Sequence, residues 1–201
     1  MGTEIEFVGF AADCRVEGKV DLEDARLADL LNRQSSVFVH DVVAVSTSDG
    51  HRRELEMLEI ERDELDLVVA SGPRGDPRRR LATRPVGVTM TLGPYCTEGF
   101  MHGPATANPV RGINHLPAMV AITDAVLEYL FCNERVSESF RTVLVNRDMA
   151  SSLRALANPG VQQTVATAPA ATTQVAATPV AAMPVGSAAV ATAMSPRRRT
   201  R

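Results

Sequence analysis

The body of this 201-residue chain is written twice, and that repetition constrains its fold more than any other feature. Cys14-Arg15-Val16-Glu17-Gly18 returns as Tyr95-Cys96-Thr97-Glu98-Gly99, so that Glu17 corresponds to Glu98. Val37-Phe38-Val39-His40-Asp41-Val42-Val43 returns as Val120-Ala121-Ile122-Thr123-Asp124-Ala125-Val126, with Asp41 matching Asp124. Leu58-Glu59-Ile60-Glu61-Arg62-Asp63 returns as Val143-Leu144-Val145-Asn146-Arg147-Asp148, with Arg62 matching Arg147. The order is colinear, and the spacing between equivalents grows only through short insertions. Such self-similarity means two copies of one small unit, which no single copy's pattern would reveal.

Within the first copy, Ile5 to Phe10 and Cys14 to Leu22 alternate at short period around Gly18, which predicts two strands with a bend. Leu27, Leu30 and Leu31 then fall at helical spacing, with Asp24 as a candidate cap and Asn32 as a stop. Val37 to Val45 is β-branched, Ser48-Asp49-Gly50-His51 reads as a hairpin turn, and Leu55 to Ile60 returns. Leu65 to Val69 closes the copy. The second copy follows the same plan from Val86, with a helix expected at Asn108 to Asn114 after an asparagine cap and Pro109. Asn133-Glu134 stands where the first copy has its Asp-Gly turn, and Met149 to Leu156 has the composition of a terminal helix.

These boundaries give a first barrel-like repeat at 1–72, a basic Gly/Pro/Arg linker at 73–85, a second repeat at 86–157 and a tail at 158–201. The fold class expected is mainly β (α+β), with one short helix in each repeat. Residues 158–201 hold no Asp, Glu or Lys, and their only charges are Arg197, Arg198, Arg199 and Arg201. Such a segment lacks the apolar surface to offset its ordering entropy, so disorder is expected there. The rest of the chain therefore carries 24 acidic against 17 basic side chains, a net of about −7. An acidic body repels phosphate backbones, which disfavours nucleic acid as a partner.

Three cysteines without a Cys-x-x-Cys pair, and a start (Met-Gly-Thr-Glu-Ile-Glu) lacking a basic and an apolar signal region, point to a cytoplasmic protein with reduced thiols. No run of about 18 uncharged apolar residues would span a membrane.

Glu17-Gly18, Arg26-Leu27-Ala28-Asp29-Leu30-Leu31-Asn32, Asp41-Val42 and Val145-Asn146-Arg147-Asp148 resemble a bacterial domain family of unknown function that occurs singly and in tandem. The resemblance covers most of residues 5 to 156, and the pattern is also similar to Sm-like and SH3-like small β-barrels. It implies a fold and no activity. The second copy departs from the helix phrase, reading Val110-Arg111-Gly112-Ile113-Asn114. Small barrels leave edge strands that find partners, so a homo-oligomer is expected.

No metal set is legible. His40, His51, His102 and His115 do not occupy equivalent positions, and none pairs at helical i, i+4 spacing. Cys96, Glu98 and His102 are the nearest approach to a nucleophile with a base, against the alternative of a cysteine serving as a small hydrophobe. Arg80 and Arg84 resemble the entry motif of cyclic-dinucleotide-binding barrels, but its second half is missing and a basic linker is the plainer reading. Arg62-Asp63 and Arg147-Asp148 are preserved in both copies, with Asp41 and Asp124 as matching acceptors at strand ends. A structural role is expected for all six.

What remains is a non-enzymatic adaptor or scaffold component working through protein contacts. Arg197, Arg198, Arg199 and Arg201 form a tethered docking element for an acidic surface or anionic polymer, or else a solubiliser. The alternative is a small-molecule or flavin-binding reductase with a pocket between domains or subunits.

Overall fold

The computed structural model describes residues 2–23, 26–73, 82–104 and 106–156. They are mainly β. Strands β1 (Thr3–Ala11), β2 (Cys14–Leu22), β3 (Ser36–Ser46), β4 (Arg52–Glu61) and β5 (Leu65–Val69) make the first half, with helix α1 (Leu27–Arg33) between β2 and β3. Strands β6 (Thr83–Leu92), β7 (Tyr95–Pro104), β8 (Met119–Phe131), β9 (Glu134–Asn146) and β10 (Ala150–Ala155) make the second. Matching 3-10 turns, Arg62–Glu64 and Arg147–Met149, precede β5 and β10. No helix among the described residues is long and apolar enough to cross a membrane.

The sequence predicts two units held apart by a linker. The strand pairings instead unite both halves in one antiparallel sheet, in the order β10-β6-β7-β8-β9-β5-β1-β2-β3-β4, and both halves fall in a single compact unit. The joint is β5, which pairs with β1 on one side and β9 on the other. Leu65, Asp66, Leu67 and Val68 are all buried, because the strand has a core on each face. Leu65 and Val68 enter the first core, while Leu67 and Phe10 enter the second. In return Met119 and Leu144 pack into the first core. Asn32 strengthens the exchange: its side chain accepts from the Met119 N–H at 2.8 Å and donates to the Met119 carbonyl at 3.0 Å. The asparagine expected to end α1 lies inside it and ties the halves together.

The duplicated phrases correspond to recurring backbone devices. Gly18 and Gly99 sit at register shifts in the β2–β3 and β7–β8 ladders. Asp41 and Asp124 have φ of 50° and 49°, the left-handed region that aspartate tolerates better than most residues. Each reverses which side chains of its strand face the core. Val37 and Val39 point inward before Asp41 and Val42 after it; Val120 and Ile122 do so before Asp124, and Ala125 and Leu127 after it. The two aspartates therefore lie within β3 and β8, not at strand ends as expected.

Several other expectations need correction. Thr83 to Pro85 belong to β6, so the linker is shorter than 73–85. The second helix is only a 3-10 turn, Ile113–His115, since Gly112 and a poor helical repeat leave nothing to bury a helix. Residues 150–155 form β10 rather than a helix, because β6 offers them an edge. The β8–β9 turn falls on Cys132-Asn133, not Asn133-Glu134; both have positive φ, as a two-residue hairpin turn requires. Asp24, the candidate cap, lies outside the described residues; the residue at the cap of α1 is Arg26, whose guanidinium grips Asp29 through two bonds of 2.8 Å. The tail expected to be disordered also lies outside them.

Candidate functional site

A groove of about 310 Å³ lies where α1 meets β2 and β3. Leu27 and Leu31 anchor the helix in the first core, which leaves Leu30, Arg33 and Gln34 facing the groove. Val20 and Val37 are its buried apolar lining, and Asp21, Glu23 and His40 its polar rim. His40 Nε2 lies 3.8 Å from an Asp21 carboxylate oxygen, beyond hydrogen-bond reach. Phe38 stands at the edge, 51% exposed, and Met57, opposite His40 on β4, is 56% exposed. Two large apolar side chains beside a groove form a surface suited to a partner's apolar residue. The sequence reads Phe38 only as one member of a β-branched strand; the alternation of β3, with Val37 and Val39 inward, is the signal that places it outside.

The expected structural residues fall elsewhere. Arg62 and Arg147 occupy equivalent turns, their backbone N–H groups donating to Ser35 and Ala118 carbonyls at 2.6 and 2.9 Å. Their side chains lie near Asp63 (3.4 Å) and Asp148 (3.3 Å), and Arg147 also donates to the Ile113 carbonyl at 2.8 Å. Asp41 meets Lys19 at 3.2 Å rather than an arginine. These six residues are not brought together at one point. Arg197, Arg198, Arg199 and Arg201 lie outside the described residues, as does Arg80, while Arg84 is a β6 residue paired with Gly103.

Cys96 and His102 lie well apart along the extended β7, about 20 Å at the rise of a strand. His102 instead contacts Thr83 at 3.3 Å and Thr123 at 2.8 Å. Burial pushes the Cys96 thiol above its usual range, and Glu98 and Glu128 add to the effect. An activated nucleophile needs the opposite shift. Among the described residues no group of three His, Cys, Asp or Glu is placed to hold a metal ion.

Two polar sets that the sequence did not announce lie at the joint. Arg15 donates to Glu138 at 3.1 Å and its guanidinium carbon sits 5.5 Å from the Phe10 ring centre, while the Tyr129 hydroxyl donates to Glu138 at 2.6 Å. Asp66 is only 2% exposed, and its Oδ2 has no hydrogen-bond partner. Burial pushes its carboxyl above the usual range. A carboxyl whose folded pKa is raised binds more protons folded than unfolded, so stability falls as pH rises. The fall begins near the unfolded value, about pH 4, and levels off once the raised folded value is passed. Asp66→Asn is therefore expected to melt higher than the parent at neutral pH, with the difference vanishing near about pH 3, below both values. Paired thermal melts across that range check it, and a constant difference at every pH would contradict it.

No protein-family model, no curated protein and no solved structure matches the chain.

Proposed function

We propose that the protein is a non-enzymatic, cytoplasmic adaptor or scaffold component, each half a barrel-like copy of a duplicated unit, that holds protein partners at the α1–β2–β3 groove. The resemblance to the tandem bacterial family of unknown function is part of this reading, and the recurring element order supports it. The observation that carries the function is the pair Phe38 and Met57, exposed beside an apolar-lined groove. The acidic rim residues Asp21 and Glu23, and the four glutamates of β4, select partners with basic or neutral faces. Arg197, Arg198, Arg199 and Arg201 supply a second, salt-sensitive contact to an acidic surface or anionic polymer. Nucleic acid is not the partner on this reading, given the body's negative charge.

A photo-crosslinking residue at position 38 is expected to capture a discrete protein partner in cells, and the same residue at Thr91 is not. Met57→Ala should reduce the yield several-fold without lowering the melting temperature, because Met57 is exposed. Equal capture from both positions would reject the groove. A flavin absorbance spectrum in the purified protein would instead favour a flavin-binding reductase.

A further inference from the structure

Among the described residues the sheet ends in two edges, β4 and β10, and the duplication says what each one fits. Strand β10 is the second half's version of β5. Leu65, Leu67 and Val68 pair with Ala11, Phe10 and Gly9, with a register shift between Phe10 and Ala11. Ala150, Ser152 and Leu153 pair with Leu92, Thr91 and Met90, with a shift between Ala150 and Ser152. By the same comparison β4 is the first half's version of β9, since Ile60 pairs with Val37 as Val145 pairs with Val120. Inside the chain, β5 seats on β9 through Leu67–Val145, Val68–Leu144 and Val69–Val143. The equivalent seat on β4 and the equivalent occupant, β10, have no such pairing among the described residues of one molecule's sheet.

We propose that β10 of one copy of the chain adds to β4 of a second copy, repeating between molecules the joint that β5 and β9 make within one. Carrying the internal register across places Ser152 opposite Ile60, Leu153 opposite Glu59 and Arg154 opposite Leu58. The chemistry of the two edges agrees. Arg154 is the only charged residue of β10, and its diagonal neighbour across the joint is Glu56, one of four glutamates on β4. Apart from Arg154, β10 has none of the charged residues or prolines that block strand addition at an edge. Ser152, Glu59 and Arg154 bring polar side chains where the internal joint has only leucines and valines, so the contact is reversible and salt-sensitive. It is also head-to-tail, and so builds a closed ring or an open filament rather than a symmetric dimer. This contact runs along the outer edge of β4, next to Met57 but outside the α1–β2–β3 lining of the groove, and its test reads self-association rather than partner capture.

Sedimentation of the full chain over a wide range of concentration tests it. The expected result is association that grows with concentration and falls in high salt. Arg154→Glu should weaken it at least tenfold with no change in melting temperature, Arg154 being exposed. Adding Glu56→Arg to that chain should restore it. Mixed chains carrying Leu58→Cys and Arg154→Cys separately should form the mixed disulfide on oxidation, identified by peptide mass among the native cysteines. A wild-type chain that stays monomeric, an Arg154→Glu chain that associates as the parent does, or a Leu58→Cys chain that crosslinks to itself would each overturn the proposal. So would an intrachain disulfide at monomer mass in the doubly substituted chain.

Discussion

Phe10→Ala is expected to lower the unfolding free energy by about 3–5 kcal/mol, the usual cost of deleting a fully buried aromatic side chain. Phe10 belongs to the first strand of the first half, yet its ring is the hub of the second core. It stands edge-on to Tyr95 at 5.5 Å, Tyr129 at 5.7 Å and Phe140 at 6.4 Å between ring centres. It also faces the Arg15 guanidinium that holds Glu138. Removing the ring opens a cavity that β1 and β5 cannot close without leaving the ladder they share. The loss should therefore reach both halves. Urea denaturation followed by tyrosine fluorescence, whose two reporters Tyr95 and Tyr129 both lie in the second core, should show one cooperative transition shifted to lower urea. A transition in the second half that did not move would contradict the exchange of side chains between cores.

Gly18→Ala and Gly99→Ala come next, each expected to destabilise by about 1–3 kcal/mol through overpacking. A methyl on Gly18 would lie 2.6 Å from both the His40 carbonyl oxygen and Val39 Cγ1. On Gly99 it would lie 2.5 Å from Ile122 Cγ2 and 2.7 Å from the Thr123 carbonyl oxygen. A side-chain tip can swing away; a strand's carbonyl cannot move without disturbing the ladder beside it. Alanine for glycine at a tolerant position stabilises by about 0.4–1 kcal/mol through the unfolded chain, so the sign itself is informative. Gly112→Ala is the control, because its methyl would meet nothing nearer than 3.8 Å. Thermal melts of the three variants should separate Gly18 and Gly99, both lowered, from Gly112. A neutral result at Gly99 would mean that β8 does not cross β7 as closely as described.

The recurring phrases, the strands of the first half and the amphipathic turn Leu27-Leu30-Leu31 were legible in the sequence, because each is local: period two, period 3.6, or a phrase repeated. The same local reading makes a helix of Met149 to Leu156 and a helix of Asn108 to Asn114. Serine, leucine, arginine and alanine favour a helix weakly, and an available strand edge on β6 overrides so small a preference. The repeated Glu-Gly and Asp phrases were visible too, but not their meaning. Gly18 is explained by the approach of His40 and Val39, and Asp41 by a positive φ that flips the strand's inward face. Neither is a property of neighbours in the chain.

The groove and the buried Asp66 were hidden for a related reason. Phe38 and Val39 look alike in a run of apolar residues, and only the face each takes separates a core residue from an exposed one. The sequence by itself determined that the chain is mainly β and that three of its phrases recur in the same order, since repetition and periodicity survive in one dimension. Tertiary structure alone decided that the two halves share a sheet and trade side chains between their cores. That outcome depends on which edge β5 meets, and the pairing of Leu67 with Val145, which lie in different halves of the chain, is a contact that no local pattern encodes.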